Sequence, residues 1–395
     1  MKLRKDKWPI VKLNQLFLIE RGGSPRPIDD YFTDDDNGIN WVKIGDTTEV
    51  TKYVYHTKQK IKPEGIKSSR MVYDGDFILS NSMSFGRPYI MKTTGCIHDG
   101  WLLLREKVDN IDKEFLYTVL SSDTLFLQFK KYAAGTTVKN LNIEVVKKVE
   151  IPLPPLEEQK QIAALFQSIE TAMEQVDGQE KNLKSLQKNL VNGLVSTEPV
   201  FGNLLNSSKG RKFSALTPTT FGEIAECDKK YPEHEKEVER FVGLEWIEPE
   251  NFQLQGFGLI ANGTTFTKRF AKDDVLFGKR RAYLKKVAVA DFDGICSGDI
   301  LVIRAKAKKM LQGLLPYYIS ADAFIQHAVS TSAGSLSPRT KWKDLETFEV
   351  SIPDLKTQEK ILEVLNQFDT TIKQLKQQKA TLKLLKQKLL NEILG

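Results

Sequence analysis

A chain of 395 residues in which 41% are hydrophobic is too long for one core and long enough for two domains, and none of its apolar runs approaches a membrane span. Three cysteines, Cys96, Cys227 and Cys296, with no CxxC or Cys/His cluster, argue against a disulfide framework and against a zinc site. The basic start MKLRKDKWPIVKL lacks the apolar stretch of a secretion signal, so a cytoplasmic setting is expected, and a net charge of +7 hints at a polyanionic partner.

Residues 1–153 read as a first globular domain. The Gly/Pro-punctuated stretch from Arg21 to Pro27 predicts a loop, Asp34 to Gly38 a turn, and Ile39 to Ile44 a short strand ending at Gly45-Asp46. Asp74-Gly75-Asp76 predicts a turn feeding a strand at Phe77 to Leu79. A polar loop, Ser80 to Arg87, follows, then strands at Tyr89 to Met91 and Trp101 to Leu104. A helix is predicted over 112–131, a polar loop over Ala134 to Asn140, and a last strand where Val149, Ile151 and Leu153 alternate.

Residues 154–196 predict one long helix. Ile162, Ile169, Val176, Leu183 and Leu190 recur every seventh position, and Leu165, Met173, Leu186 and Leu194 interleave, which is the a/d pattern of a coiled-coil seam. Pro154 and Pro155 suit the first turn, and Glu157 and Glu158 complement its positive dipole. Residues 197–218, rich in Ser, Gly, Lys and Pro, read as a linker.

The remainder repeats what came before. Residues 219–352 follow the first domain in outline. Asp273 to Phe277 answers Gly75 to Leu79, Arg281 to Leu284 answers Arg87 to Ile90, Gly294 to Arg304 answers Gly95 to Arg105, and 314–328 answers the helix around Leu116 to Phe129. Residues 353–395 repeat the long helix without a gap, Leu156 falling on Leu355 and Gln159 on Gln358. The seam becomes Ile361, Phe368, Leu375, Leu382 and Leu389, with Asp354 as N-cap. The expected fold is therefore α/β (α+β), a tandem duplication of a globule followed by a long helix, the two helices pairing as an antiparallel coiled coil. The globules have diverged more than the helices, which suggests that globules carry specificity and helices carry geometry.

Basic residues in loops are the candidate binding groups. Lys279, Arg280 and Arg281 with Tyr283, Lys285 and Lys286 form the densest cluster, preceded by Lys268, Arg269 and Lys272. Such residues neutralise phosphates, and arginine also reads guanine O6 and N7; a solvated basic hairpin is the competing reading. In the first domain the candidates are Arg21, Ser24, Arg26, Lys43, Asn81, Ser82, Ser84 and Arg87. Lys139 and Asn140, and Ser335, Arg339 and Lys341, occupy equivalent loops of the two repeats. No P-loop and no methyltransferase-type NPPY motif occurs, His56, His98, His234 and His327 lack metal-ligand spacing, and the carboxylates at 34–36 and 273–274 read as turns, so no catalytic residue and no metal are expected.

The segments GGSP (Gly22 to Pro25), IPLPPLEEQKQIA (Ile151 to Ala163), FVGLEWI (Phe241 to Ile247), GKRRAYLKK (Gly278 to Lys286), AGSLSPRTKW (Ala333 to Trp342) and IPDLKTQEKI (Ile352 to Ile361), in this order over nearly the full chain, resemble the specificity subunit of Type I restriction–modification systems. The resemblance implies two target-recognition domains, each reading one half of a bipartite double-stranded DNA site. It implies paired helices that act as spacer and as dock for two methyltransferase subunits, with restriction/translocase subunits able to join. It implies a chain that is not itself an enzyme and binds no cofactor, S-adenosylmethionine residing in the methyltransferase partner. A helix from Leu156 to Leu194 spans roughly 58 Å, enough for half-sites about 10–17 base pairs apart. A coiled-coil scaffold without DNA readout, and an enzyme with an unrecognised site, are the alternative readings.

Overall fold

A computed structural model describes residues 5–48, 52–81, 85–133, 141–195 and 216–394. The chain divides into two compact units: Met1–Val176 with Gln378–Gly395, and Asp177–Gln377. Each unit joins one globule to parts of both long helices.

In the first unit a five-stranded sheet runs in the order Phe17–Arg21, Trp101–Glu106, Phe77–Ser80, Pro88–Met91, Tyr53–Val54. The strand Trp101–Glu106 is apolar without alternation because both of its faces are covered. Leu102 and Leu104 point into a core shared with helices, whereas Trp101 and Leu103 point into a second core against another five-stranded sheet. That second sheet runs Phe32–Thr33, Gln59–Ile61, Ile39–Val42, Gly95–Ile97, Arg70–Val72, with Ile39–Val42 and Gly95–Ile97 parallel. Ile10–Lys12 pairs with Glu150–Pro152.

The second unit repeats the plan with four-stranded sheets, Ala225–Cys227, Ile300–Ala305, Val275–Gly278, Val287–Val289, and Gly258–Leu259, Arg240–Val242, Gly294–Cys296, Lys268–Phe270. Its central strand divides its side chains in the same way: Leu301 and Ile303 face the helices, Ile300 and Val302 the other sheet. Thr217–Thr220 pairs with Glu349–Ile352, so strand structure begins at the end of the stretch expected as linker. The rest of that stretch up to 215 lies outside the described residues.

Three expectations are corrected. The helix over 112–131 is two helices, Lys113–Leu120 and Asp123–Ala133. Ser121 and Ser122 separate them, because the Ser122 hydroxyl accepts the Leu125 N–H (3.2 Å) and donates to the Val119 carbonyl (2.7 Å), competing with the backbone ladder. The helix over 314–328 likewise breaks at Ala321, whose backbone is extended, into Leu315–Ser320 and Asp322–Ser330. Arg281 to Leu284 is not the counterpart of the strand Pro88–Met91. The strand paired with Val275–Gly278 is Val287–Val289, and Ala282–Leu284 forms a 3-10 turn flanked by Arg281 and Lys285 at positive φ.

The long helices run Leu156–Leu194 and Leu355–Leu394, 39 and 40 residues. In the first unit Ile162 and Ile169 share a core with Leu390, Ile393 and Leu394, and Lys386 Nζ lies 2.6 Å from Glu170 Oε1. In the second, Leu190, Val191 and Leu194 share a core with Ile361 and Leu365, and Gln187 Nε2 donates to Asp369 Oδ1 at 2.6 Å. Val176 and Leu375 are also buried, and Leu183, Phe368, Leu382 and Leu389 are half-buried. Leu186, expected on the interleaved line, is 48% exposed.

Each helix begins with a buried glutamine that ties it to its globule. Gln159 accepts the Asp112 N–H (2.9 Å) and donates to the Pro154 carbonyl (2.8 Å). Gln358 accepts the Leu311 N–H (2.9 Å) and donates to the Lys309 and Pro353 carbonyls (2.9 Å each). Asp354 caps the second helix by accepting the Thr357 N–H at 2.9 Å.

The Asp-containing turns hold a second matched pair. Asp76 accepts the Tyr73 N–H (2.8 Å) and Arg105 Nη2 (2.6 Å) and Nε (2.9 Å). Asp274 accepts the Ala271 N–H (2.7 Å) and Arg304 Nε (2.6 Å), with His234 Nε2 at 2.9 Å. Asp274, read from the sequence as a turn carboxylate, is thus buried and ion-paired. Cys96 and Cys296 are buried and Cys227 half-buried; burial pushes all three thiols up, Cys296 to about 12.

At the far end of the first long helix, Asn192 exchanges two 2.9 Å hydrogen bonds with Asp322, which also meets Lys285 and Lys188. Lys285 draws the Asp322 carboxyl down to about 2 against the opposing effect of burial. A depressed carboxylate stabilises the fold above its ordinary value near ~3.9 and loses that contribution as pH falls toward the folded value. Because the side chain is 35% exposed, the effect is discounted for solvent screening. Asp322→Ala is expected to cost about 0.5–1 kcal/mol at neutral pH, with urea titrations at stepped pH showing the gap to wild type close between about pH 4 and 2.

Candidate nucleic-acid interface

In the second unit two segments far apart in sequence fold into one exposed surface. The chain leaves the strand Val275–Gly278 through Lys279 and Arg280, and Arg281 turns at φ 54°. The loop from Ala333 to Arg339 closes on itself through paired backbone hydrogen bonds of 3.0 and 2.9 Å, with Gly334 at φ +108°, a conformation that disfavours a side chain. This loop docks on the basic segment. The Arg281 N–H donates to the Pro338 carbonyl (2.8 Å), the Thr340 N–H to the Lys279 carbonyl (3.1 Å), and Arg280 Nε to Ser337 Oγ (2.6 Å). Lys279, Arg280, Arg281, Ser335 and Arg339 are thereby gathered, with Lys341 exposed two residues beyond Arg339 and Tyr283 52% exposed.

Asp299 is the centre of this surface, and the sequence reading did not single it out. It lies in the turn between Gly294–Cys296 and Ile300–Ala305. Arg339 donates to it through Nε (2.7 Å) and Nη2 (3.3 Å), Arg280 Nη1 lies 3.7 Å away, and its backbone carbonyl accepts the Lys279 N–H (2.9 Å). The Arg339 hydrogen bond holds its carboxyl below the usual carboxylate range.

The first unit also carries an aspartate in the corresponding turn, between Gly95–Ile97 and Trp101–Glu106, but one position earlier: Asp99 matches Gly298 and Gly100 matches Asp299, the Asn81 N–H donating to the Gly100 carbonyl (3.0 Å) as the Lys279 N–H does to that of Asp299. Ser24 Oγ donates to the Asp99 carboxylate at 3.1 Å and Arg26 Nη2 lies 3.5 Å from it, while Arg21 Nε (3.2 Å) and Asn81 Nδ2 (2.8 Å) donate to the Asp99 backbone carbonyl. The Gly22-Gly23 turn permits this approach, since a Cβ at Gly22 would stand 2.2 Å from the His98 carbonyl oxygen. The Leu141 N–H donates to the Asn81 carbonyl (2.9 Å), repeating the Thr340–Lys279 contact of the other unit.

Other candidates are tied up within the fold or stand outside the contacts described so far. Asn81, expected on an accessible loop, is 3% exposed and acts as a brace beneath Asp99. Lys268 is held by Asp228 Oδ2 (2.8 Å) and the Ile300 carbonyl (2.7 Å), and Lys285 by Asp322. Arg269 donates to the Lys236 carbonyl (3.0 Å), Lys286 to the Leu244 carbonyl (2.6 Å), and Lys43 to Gln59. Arg87 is exposed. Ser82, Ser84, Lys139 and Asn140 lie outside the described residues. Asp99 and Asp299 could have been found by laying Gly95 to Arg105 on Gly294 to Arg304, where each segment has one aspartate in the turn before the central strand, Asp99 on Gly298 and Asp299 on Gly100.

Among the described residues no cluster of three or more His, Cys, Asp or Glu side chains could hold a metal ion, and no helix is long and apolar enough to cross a membrane. The family profile described as Type I restriction modification DNA specificity domain matches residues 5–184 and again 218–384. The putative type I restriction enzyme MjaX specificity subunit of Methanocaldococcus jannaschii is 25% identical over 91% of this chain and 86% of its own. The MjaIX specificity subunit of the same organism is 26% identical over 50% of this chain, and the EcoDI specificity subunit of Escherichia coli 22% over 65%. These two alignments span only 46% and 63% of the relatives' lengths. The HsdS subunit from Thermoanaerobacter tengcongensis superimposes with a TM-score of 0.52 at 18% identity, covering 100% of this chain and 97% of that one. A chain from a structure of a type I R-M system gives 0.62 at 17% identity, covering 98% and 97%.

Proposed function

Since the chain belongs to the family of the Type I restriction modification DNA specificity domain, which it matches twice over, we propose that it is the sequence-reading subunit of a Type I restriction–modification complex and not itself an enzyme. Each globule reads one half of an asymmetric, bipartite duplex site. The observation that carries this reading is the gathering of exposed Arg280, Arg281 and Arg339, with half-buried Lys279, from two distant segments onto one surface. Such a surface suits phosphate neutralisation and guanine recognition. Arg21, Ser24 and Arg26 serve the first globule in the same way.

The long helices pair antiparallel as a spacer. This is supported by the start of the first helix packing with the end of the second in one unit, and by the end of the first packing with the start of the second in the other. Two methyltransferase subunits dock on this frame and hold S-adenosylmethionine, restriction subunits can join them, and the assembly works in the cytoplasm. The target base would be flipped out of the stack into the methyltransferase partner.

The test is a map of methylated bases in the source cell with and without the gene. One bipartite motif should vanish on deletion, and exchanging residues 219–352 for those of a relative should rewrite one block of the motif and leave the other. An unchanged map in cells shown to express the assembled methyltransferase overturns the reading.

A further inference from the structure

Asp99 and Asp299 lie at neighbouring positions of the same turn in two globules whose sequences have drifted apart, and each stands beside basic residues that face solvent. On a surface whose task is only to neutralise phosphates, a carboxylate at the centre is a handicap. It repels the backbone and cancels part of the charge of each arginine. On a surface that reads base edges it is an asset. An arginine discriminates guanine only when its planar fork has a fixed direction, and a fork ordered before binding loses less freedom on binding. Arg339 is ordered in this way, with two N–H groups on Asp299 while its side chain stays 47% exposed. Arg280 is braced from two sides, by Ser337 and Asp299, and is 43% exposed. In the first unit, Asp99 sets Ser24 and Arg26 through its carboxylate and Arg21 through its carbonyl. Ion pairs this exposed contribute little to fold stability, so stability does not account for a carboxylate in this turn of both globules.

Resting on the reading of the globules as DNA readers, we propose that Asp299 and Asp99 are positioning residues for base discrimination, Asp299 orienting Arg339 and Arg280 and the Asp99 carboxylate orienting Ser24 and Arg26, while each lowers its globule's affinity for DNA of any sequence. The two effects have opposite signs, which separates this role from a merely structural one.

The experiment uses the full-length chain assembled with its methyltransferase partner. Binding is measured at fixed salt to a duplex carrying the methylated motif mapped in the source cell, and to duplexes with one block or the other scrambled. Asp299→Ala is expected to weaken the intact motif by about tenfold, within the range of one lost bidentate contact. Binding to the duplex scrambled in the second globule's block should stay level or tighten, since a negative charge has gone. Discrimination at that block should therefore collapse while discrimination at the other block persists, and Asp99→Ala should give the converse to a smaller degree, because Arg21 keeps its bond to the backbone carbonyl of residue 99. Asp299→Asn, which keeps the shape and one acceptor, should show a smaller change of the same kind and covers the case in which the alanine variant fails to fold. An equal loss on all duplexes, or unaltered discrimination, overturns the proposal. If the unsubstituted complex itself fails to discriminate, the reading of the chain as a sequence reader fails first, and the control lane shows it.

Discussion

Asp274→Ala is expected to cost the second unit about 3–5 kcal/mol, the usual penalty for removing one partner of a buried ion pair. Asp274 has 1% of its side chain exposed, and its removal strands three donors at once: Arg304 Nε, the Ala271 N–H and His234. Arg304 retains Glu233 (2.6 Å) and the Tyr231 ring (3.8 Å to its centre), so the guanidinium stays in place with its charge uncompensated on the Asp274 side. Hydrogen exchange resolved along the chain is the measurement of choice, because two units need not unfold together. Protection should fall across the strands Val275–Gly278 and Ile300–Ala305, while Phe77–Ser80 and Trp101–Glu106 of the first unit keep theirs. Uniform loss in both units, or none in either, would show that this carboxylate is not the local keystone its contacts describe.

Gln358→Leu should destabilise by about 1–3 kcal/mol, since the substitution takes the partner from the half-buried Leu311 N–H and from the Lys309 and Pro353 carbonyls, the last of them buried. Leucine matches the volume and adds apolar surface, so a core governed by hydrophobicity alone would be strengthened; the two outcomes are opposite in sign. Gln159→Leu should act likewise on Asp112 and Pro154 in the first unit. The Leu311 and Asp112 amides should exchange faster in the respective variants. A variant as stable as wild type would mean that other donors and acceptors replace the glutamine amide.

The duplication was legible in the sequence because the two helices align without a gap and their apolar residues repeat at a fixed period. The central strands were legible because Leu102 to Leu104 and Ile300 to Ile303 are apolar on both faces. What the sequence hid is partnership. The breaks at Ser121-Ser122 and Ala321 depend on hydroxyl bonds and tertiary packing that override helix periodicity. Lys268 and Lys285 look like free cations beside Arg280, yet Asp228 and Asp322, 40 and 37 residues away, occupy them. Asn81 reads as a loop amide and is a buried brace. The carboxylates at the centre of both basic surfaces escaped notice for a related reason: a search for polyanion binding looks for positive charge, and an aspartate in a turn carries the wrong sign.

The state of the three thiols makes this chain a convenient host for spectroscopic probes. The nucleophile in maleimide or disulfide labelling is the thiolate. Buried among apolar residues and with its thiol pushed up to about 12, Cys296 presents little of that form near neutral pH. Cys96 and Cys227 are pushed the same way by their surroundings. A cysteine placed at exposed Ser335 would therefore react selectively with no prior removal of the native ones, and a dye there would report directly on what approaches the loop beside Arg339.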